Sequence, residues 1–284
     1  MVEAPCVHEP KAVDLIEVFS QPVDVDAFNA SFRGELYSDE PTMTAQSFAD
    51  HVERNTIDLS RSPRWTVDGK LSGVALLGFR DQRAWVGGFG VVPEFRGRGL
   101  ARRYLEDVLA VCHRAGAARV ELEVLLRNAP AIALYKRGGF AVVDELVVWS
   151  RAPLATDSAR HWERACDGRG IARVARKPST CWQREPQSVA AASPCERLTI
   201  GDDAAPHAYA FLRRSGGRAT LLDVGARDPE SAALLIDALD AVAPDVTLRL
   251  LNEPAHGPVH EAFTATESWT ETTRQHRMVQ SLPA

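Results

Sequence analysis

The sequence predicts an α/β (α+β) fold in which strands and helices are mixed and the whole arrangement is duplicated. Three observations predict it. Asp68-Gly69 separates two runs rich in strand-forming residues, as a hairpin turn does. Leu100, Tyr104, Val108 and Cys112 recur at helical spacing. The order strand pair, helix, strand, short helix, strand then occurs twice along the chain, which is the pattern an internal duplication leaves.

Residues 1–20 are expected to form an extended lead-in ending in a short strand. Val25, Phe28 and Phe32 suggest a helical face, and Thr44 with Ser47 suggests a helix start, with Phe48 and Val52 on its buried side. Residues 64–92 read as consecutive strands, with Asp81-Gln82 as a second, weaker turn. The helix opening at Leu100 stops at Gly116. Residues 118–126 form a strand with Val120, Leu122 and Val124 on one face and Glu121 and Glu123 on the other. Residues 129–137 form a short helix ended by Gly138-Gly139, and residues 140–150 return to strand.

Residues 151–199, rich in Arg, Ala, Ser and Pro, are read as a linker and the start of a second domain. Order resumes with strands about Ser215-Gly216-Gly217, a helix opening at Pro229, a strand at 245–251, a short helix at 257–265 and a final strand. The expected domains are therefore 1–150, a linker over 151–199, and 200–284.

Composition bounds the function. The 284 residues carry a net charge of −5, with 45% apolar and 25% charged side chains, so no global field draws the chain to nucleic acid or anionic lipid. No apolar run reaches the ~20 residues of a membrane span, and the N-terminus lacks the pattern of a signal peptide. Five widely spaced cysteines fit reduced thiols in a cytoplasm rather than a disulfide framework, and none has the spacing of a metal site. No metal is expected.

Against this acidic background the stretch "EFRGRGLARR", Glu94 to Arg103, stands out. Gly97 and Gly99 follow a strand and open a helix. The first N–H groups of a helix lack internal partners and carry the positive end of its dipole, so such a turn suits an anion. Glycine admits phosphate oxygens to the backbone, and Arg96, Arg98, Arg102 or Arg103 would add charge-assisted bonds. The dinucleotide and P-loop fingerprints are both absent. The glycines of "GGFGVV", Gly87 to Val92, suit a strand that a ligand approaches closely.

The turn has a companion in "NAPAIALYKRGGF", Asn128 to Phe140. With both in place, residues 10–150 resemble the GNAT superfamily of N-acetyltransferases, whose cofactor motif has the form Arg/Gln-x-x-Gly-x-Gly/Ala. Here it reads Arg96-Gly97-Arg98-Gly99-Leu100-Ala101, after a strand ending at Val91 and Val92. The resemblance implies a mixed, mostly antiparallel central sheet flanked by helices, and acetyl-CoA as donor. It implies that the pyrophosphate lies on the N–H groups from Arg96 to Ala101, that the pantetheine arm pairs with the backbone of Phe89 to Val92, and that Asn128 binds the same cofactor.

"LEV" before Asn128 is similar to the ribosomal-protein N-terminal acetyltransferases within the superfamily. That likeness makes Glu123 the general base, with Glu121 on the same face as the competing candidate, and Tyr135 the general acid. The segment "GELYSDEP", with Glu35, Tyr37, Asp39 and Glu40, corresponds to a wall of the acceptor site in this superfamily. The acceptor is expected to be a primary amine, on a small molecule or a protein N-terminus, and a homodimer is compatible.

The second half resembles a degenerate copy. Its turn, "VGARDPESA", sets Asp228 and Glu230 where a pyrophosphate would be repelled, and Val259 follows Asn252 where a tyrosine would be required. Trp149, Trp162, Trp182 and Trp269 are expected to pack rather than bind. Two other classes stay open: a binding protein that senses acyl-CoA without turnover, and, less compatible with the acidic charge, a nucleic-acid binder acting through the arginine turn.

Overall fold

A computed structural model describes residues 23–33, 42–154, 181–192, 194–202 and 205–283. The chain forms two compact units that interleave in sequence. The first comprises Met1–Phe48, Ile57–Val120 and Leu282–Ala284, and the second Ala49–Thr56 and Glu121–Ser281.

The first unit is built on an antiparallel meander of β1 (Arg64–Val67), β2 (Lys70–Arg80) and β3 (Arg83–Val91). Asp68 and Gly69 both take positive φ, 51° and 73°, as a tight hairpin of type I′ requires. Helix α1 (Val25–Ser31) starts at Asp24, whose carboxylate accepts the Ala27 N–H at 2.7 Å. At the head of α2 (Ala45–Arg54), Thr44 and Ser47 cap each other reciprocally: Ser47 N–H donates to Thr44 Oγ1 at 3.1 Å and Thr44 N–H to Ser47 Oγ at 2.8 Å.

Helix α3 (Leu100–Arg114) buries Leu100, Tyr104, Leu105, Val108, Val111 and Cys112, the face its periodicity predicts. Trp65 of β1 stacks on Tyr104 at 4.2 Å, with its indole N–H bonded to Asp107 at 2.9 Å, and Ser72 of β2 shares a 2.6 Å hydrogen bond with the Tyr104 hydroxyl. These contacts fix the first turns of α3 on the sheet. The helix ends in a Schellman arrangement: Gly116 has φ +80°, and Ala117 N–H donates to Cys112 O at 3.1 Å.

Strand β4 (Arg119–Leu125) carries the chain from the first unit into the second. There the strand order is β4, β10 (Thr270–Ser281), β5 (Ala141–Arg151), β9 (Thr247–Pro254), β8 (Arg218–Ala226), β7 (Ala205–Ser215) and β6 (Glu196–Asp202). β8 and β9 run parallel; β10–β5, β5–β9, β6–β7 and β7–β8 are antiparallel. Helices α4 (Ala129–Arg137), α5 (Pro186–Ala191), α6 (Pro229–Val242) and α7 (Pro258–Ala265) complete this unit. Its core joins Val224, Leu235, Leu239, Leu250 and Phe263 to Trp149 and Trp269. Each such large apolar side chain contributes about 1.5–3 kcal/mol when fully buried. Trp149, Trp182 and Trp269 all pack inside, as expected; Trp162 lies outside the described residues.

Two features extend the repeat seen in the sequence. β2–β3–α3–β4–α4–β5 and β7–β8–α6–β9–α7–β10 follow one order, and the same irregularity recurs in both hairpins. The register slips between Leu76 and Leu77 opposite Gly87, and again between Phe211 and Leu212 opposite Leu222. The two stretches differ at the strand-to-helix turn. Val92–Gly99 separates β3 from α3, whereas only Arg227 and Asp228 separate β8 from α6. Within 151–199, read as a linker, the described residues include a 3₁₀ turn at Trp182–Arg184, α5 and the start of β6.

Candidate active site

In the first unit the strand-to-helix turn begins with a 3₁₀ turn, Pro93–Phe95, and reaches α3 through Gly97 and Gly99 at φ +75° and +77°. A Cβ at either glycine would meet nothing within 4 Å, so space does not exclude a side chain there; the left-handed backbone does. Among the described residues, the N–H groups of Gly97, Arg98, Gly99, Leu100 and Ala101 find no acceptor. Gly99 caps α3 without a side chain. The result is a run of unpartnered backbone donors at a helix N-terminus, the kind of group that suits a phosphate.

Three arginines of the turn make contacts within the chain. Arg96 donates to Val91 O at 2.8 Å, Ser31 O at 3.3 Å and Arg33 O at 2.8 Å, so its guanidinium ties the end of α1 to the end of β3. Arg98 folds back to Glu94 O at 2.9 Å and over the Phe95 ring, and Arg102 pairs with Glu106 in solvent. Val92 N–H is already bonded to Ser72 O at 2.9 Å. The glycines of β3 make room for the protein itself: a Cβ at Gly87 would strike the Trp85 ring at 2.3 Å, one at Gly88 the Phe28 ring at 2.8 Å, and one at Gly90 the Ser31 carbonyl at 2.8 Å.

In the second unit β4 presents Glu121, which is buried, and Glu123, which is half-buried. Asn128 caps α4, accepting Ala131 N–H at 3.3 Å. Tyr135 lies near the end of that helix, 6% exposed, with its ring edge-on to Phe140 at 5.7 Å. Glu35 and Tyr37, with Asp39 and Glu40, lie outside the described residues.

A second polar cluster in this unit gave no signal in the sequence. The buried Arg184 guanidinium donates to Asp223 Oδ1 at 2.9 and 2.7 Å, to Asn252 O at 3.1 Å, to Val224 O at 2.9 Å and to Glu253, while the Tyr209 hydroxyl donates to Asp223 Oδ2 at 2.8 Å. Burial alone would lower the Arg184 pKa, but Glu253 and Asp223 overcome it and hold the group charged; burial and Asp223 raise that of Tyr209. Nearby, burial and then the Glu123 charge push the Cys181 thiol up to about 12. Such a pair is costly to break, since one charge would be left uncompensated. At the second half's own turn Asp228 caps α6 through Ser231 N–H at 2.8 Å, which puts a carboxylate where the first half has bare N–H groups.

The family model described as "Acetyltransferase (GNAT) family" matches residues 26–140. Residues 26–140 are a GNAT-family domain. The match takes in the glycine turn of α3, β4 and α4, so the proposed site residues from Val91 to Tyr135 all fall in the GNAT domain. Over 141 residues the chain is 30% identical to mycothiol acetyltransferase of Clavibacter michiganensis, covering 44% of this chain and 46% of the relative. Over 76 residues it is 37% identical to streptothricin acetyltransferase of Streptomyces lavendulae, 26% of this chain and 40% of that one. Over 75 residues it is 35% identical to the ribosomal protein bS18-alanine N-acetyltransferase of Escherichia coli K12, 26% and 51% respectively. The chain thus spans about half the length of the curated relatives it matches. A GCN5-related N-acetyltransferase from Sphaerobacter thermophilus has the same fold at TM-score 0.66 and 14% identity, covering 91% of this chain and 92% of its own. One from Kribbella flavida gives 0.52 at 16%, covering 92% and 70%.

Among the described residues no group of His, Cys, Asp and Glu is suited to a metal, and no helix is long and apolar enough to cross a membrane.

Proposed function

We propose that the chain is an acetyl-CoA-dependent N-acetyltransferase acting on a primary amine by direct attack, with its chemistry in residues 1–150 and a degenerate copy of the domain in residues 200–284. The observation that carries this reading is the turn from Gly97 to Ala101, with unpartnered N–H groups and two left-handed glycines at the head of α3, inside the stretch that matches the GNAT family.

These residues fit the diphosphate of CoA. The donors are backbone, they are already oriented, and the side of each glycine is open. Arg96 acts through shape, by holding the turn and α1 together; Arg98 and Arg103 add positive charge at its rim. Asn128 would serve the cofactor with whatever capacity its capping bond leaves.

Acetyl-CoA supplies an activated acetyl thioester. An alkylammonium acceptor, of pKa near ~10.4, carries no lone pair at neutral pH. Glu123 accepts the proton the ammonium must lose before its nitrogen can attack the carbonyl carbon. Tyr135 donates a proton to sulfur as the C–S bond breaks and the C–N bond forms, so the thiol, of pKa ~8.5, departs neutral. Glu35, Tyr37 and Glu121 would face the acceptor. The buried Cys112 and Cys181 are thiols outside any disulfide, which agrees with a cytoplasmic setting.

The second half carries no comparable turn, because Asp228 and Glu230 stand at the head of α6, and α7 contains no tyrosine. An acceptor screen with acetyl-CoA, following free thiol, tests the reading. Thiol release with at least one primary amine is expected; CoA binding without release on any amine would make this an acyl-CoA sensor instead.

A further inference from the structure

The closing strand of the second half runs beside the strand that carries Glu123. Leu126 N–H donates to Arg274 O at 3.0 Å and Leu282 N–H to Ala118 O at 2.9 Å, and these two bonds share one antiparallel register between β4 and β10. That register sets Glu123 directly opposite Arg277 as a non-hydrogen-bonded pair, the kind whose side chains lie closest, on one face of the sheet. On the other side of β10, Arg277 is registered with Asp144 of β5, and Asp144 Oδ1 lies 3.7 Å from His256 Nδ1. Arg277 is half-buried, and its register neighbours on the two flanking strands are Glu123 and Asp144.

We propose that Arg277, supplied by the C-terminal half, is a positioning residue for the carboxylate of Glu123. This rests on the reading of Glu123 as the base. The electrostatic reason is local. Glu121 shares the face of β4 with Glu123, so that face of the strand carries two carboxylates. Cys181, held as a neutral thiol, offers Glu123 no compensating charge. A guanidinium across the strand favours the ionised carboxylate and, through its planar fork, fixes the orientation of the oxygen that must meet the ammonium proton. The base of the first half would thus be completed by a residue of the second, giving the degenerate copy a part in the reaction.

The test uses the full chain and the fastest acceptor from a panel of small primary amines and peptides with free N-termini. Arg277→Gln is expected to lower kcat roughly tenfold, the equivalent of one lost charge-assisted contact, with KM for acetyl-CoA unchanged. Arg277→Lys is expected to recover part of that loss. In a Glu123→Gln background the Arg277→Gln change is expected to have no further effect, because the two act as one unit. Full activity of Arg277→Gln, or an undiminished loss in the Glu123→Gln background, would overturn the proposal while leaving Glu123 as base. If Glu123→Gln itself retained wild-type kcat, the reading beneath it would fail as well. Thermal unfolding of each variant separates a folding defect from a lost position.

Discussion

At the scale of single residues, the proposed proton-transfer groups are Glu123 and Tyr135, and they sit on different elements. Tyr135 is buried against Phe140 with its ring held edge-on, so removing the hydroxyl leaves the packing intact. Tyr135→Phe is therefore expected to lower kcat by about 10²-fold, the low end for a lost general acid, with the affinity for CoA unchanged by calorimetry. The strand that carries Glu123 and the helix that carries Tyr135 are legible in the sequence, because alternation in "VELEV" and the glycines after Arg137 bound them without tertiary knowledge. The role of Arg96 is not legible. A guanidinium that caps three carbonyls, on Ser31, Arg33 and Val91, depends on where α1 docks, and no local pattern encodes that. Arg184 is hidden for the same reason: its partners Asp223 and Glu253 come from distant strands.

At the scale of elements, hairpins and amphipathic helices announce themselves because their causes are local. Asp68-Gly69 sets the β1–β2 turn, four-residue spacing sets the buried face of α3, and Gly116 stops it. β6 and α5 are missed because each is short and lies in a stretch whose composition reads as a linker. The glycines of β3 are visible but their cause is not: Trp85, Phe28 and Ser31 fill the space where a ligand was expected. The two strand-to-helix turns make opposite electrostatic choices, and the second can be measured through its cap. Asp228 has its pKa lowered from 3.8 to about 2, first by the Ser231 backbone N–H, then by the Ser231 side chain and Arg227. A depressed folded-state value means the stabilisation is present above the unfolded pKa and lost as pH falls through the folded one. Asp228→Ala is expected to lower Tm at pH 7, with the difference from wild type shrinking as pH drops from 3.8 toward 2. An equal difference at both ends of that range would show that the carboxylate does not act as a cap.

At the scale of the whole molecule, the repeat is not two separable copies. β5, from the first half of the sequence, pairs with β10 on one side and β9 on the other, and both come from the second half. Expressed alone, residues 1–150 would leave β5 without either neighbour, and its exposed edges would invite association. That fragment is expected to be aggregated or unfolded by gel filtration and circular dichroism, whereas the full chain is expected to be well folded. A monomeric, folded fragment would contradict the account of how the halves depend on each other. The duplicated order is readable from the sequence, but this exchange of closing strands is not, since strand pairing at long range leaves no periodic signal.

The central claim is that the amides from Gly97 to Ala101 bind the diphosphate of CoA. Calorimetry with two ligands tests it most directly: CoA, and pantetheine, which lacks the diphosphate. Wild type is expected to bind CoA at least about tenfold more tightly than pantetheine, and Gly99→Val, which strains the left-handed backbone, is expected to lose that preference while keeping its Tm within a few degrees. Equal affinity for the two ligands in wild type, or an undiminished preference in a folded Gly99→Val, would contradict it.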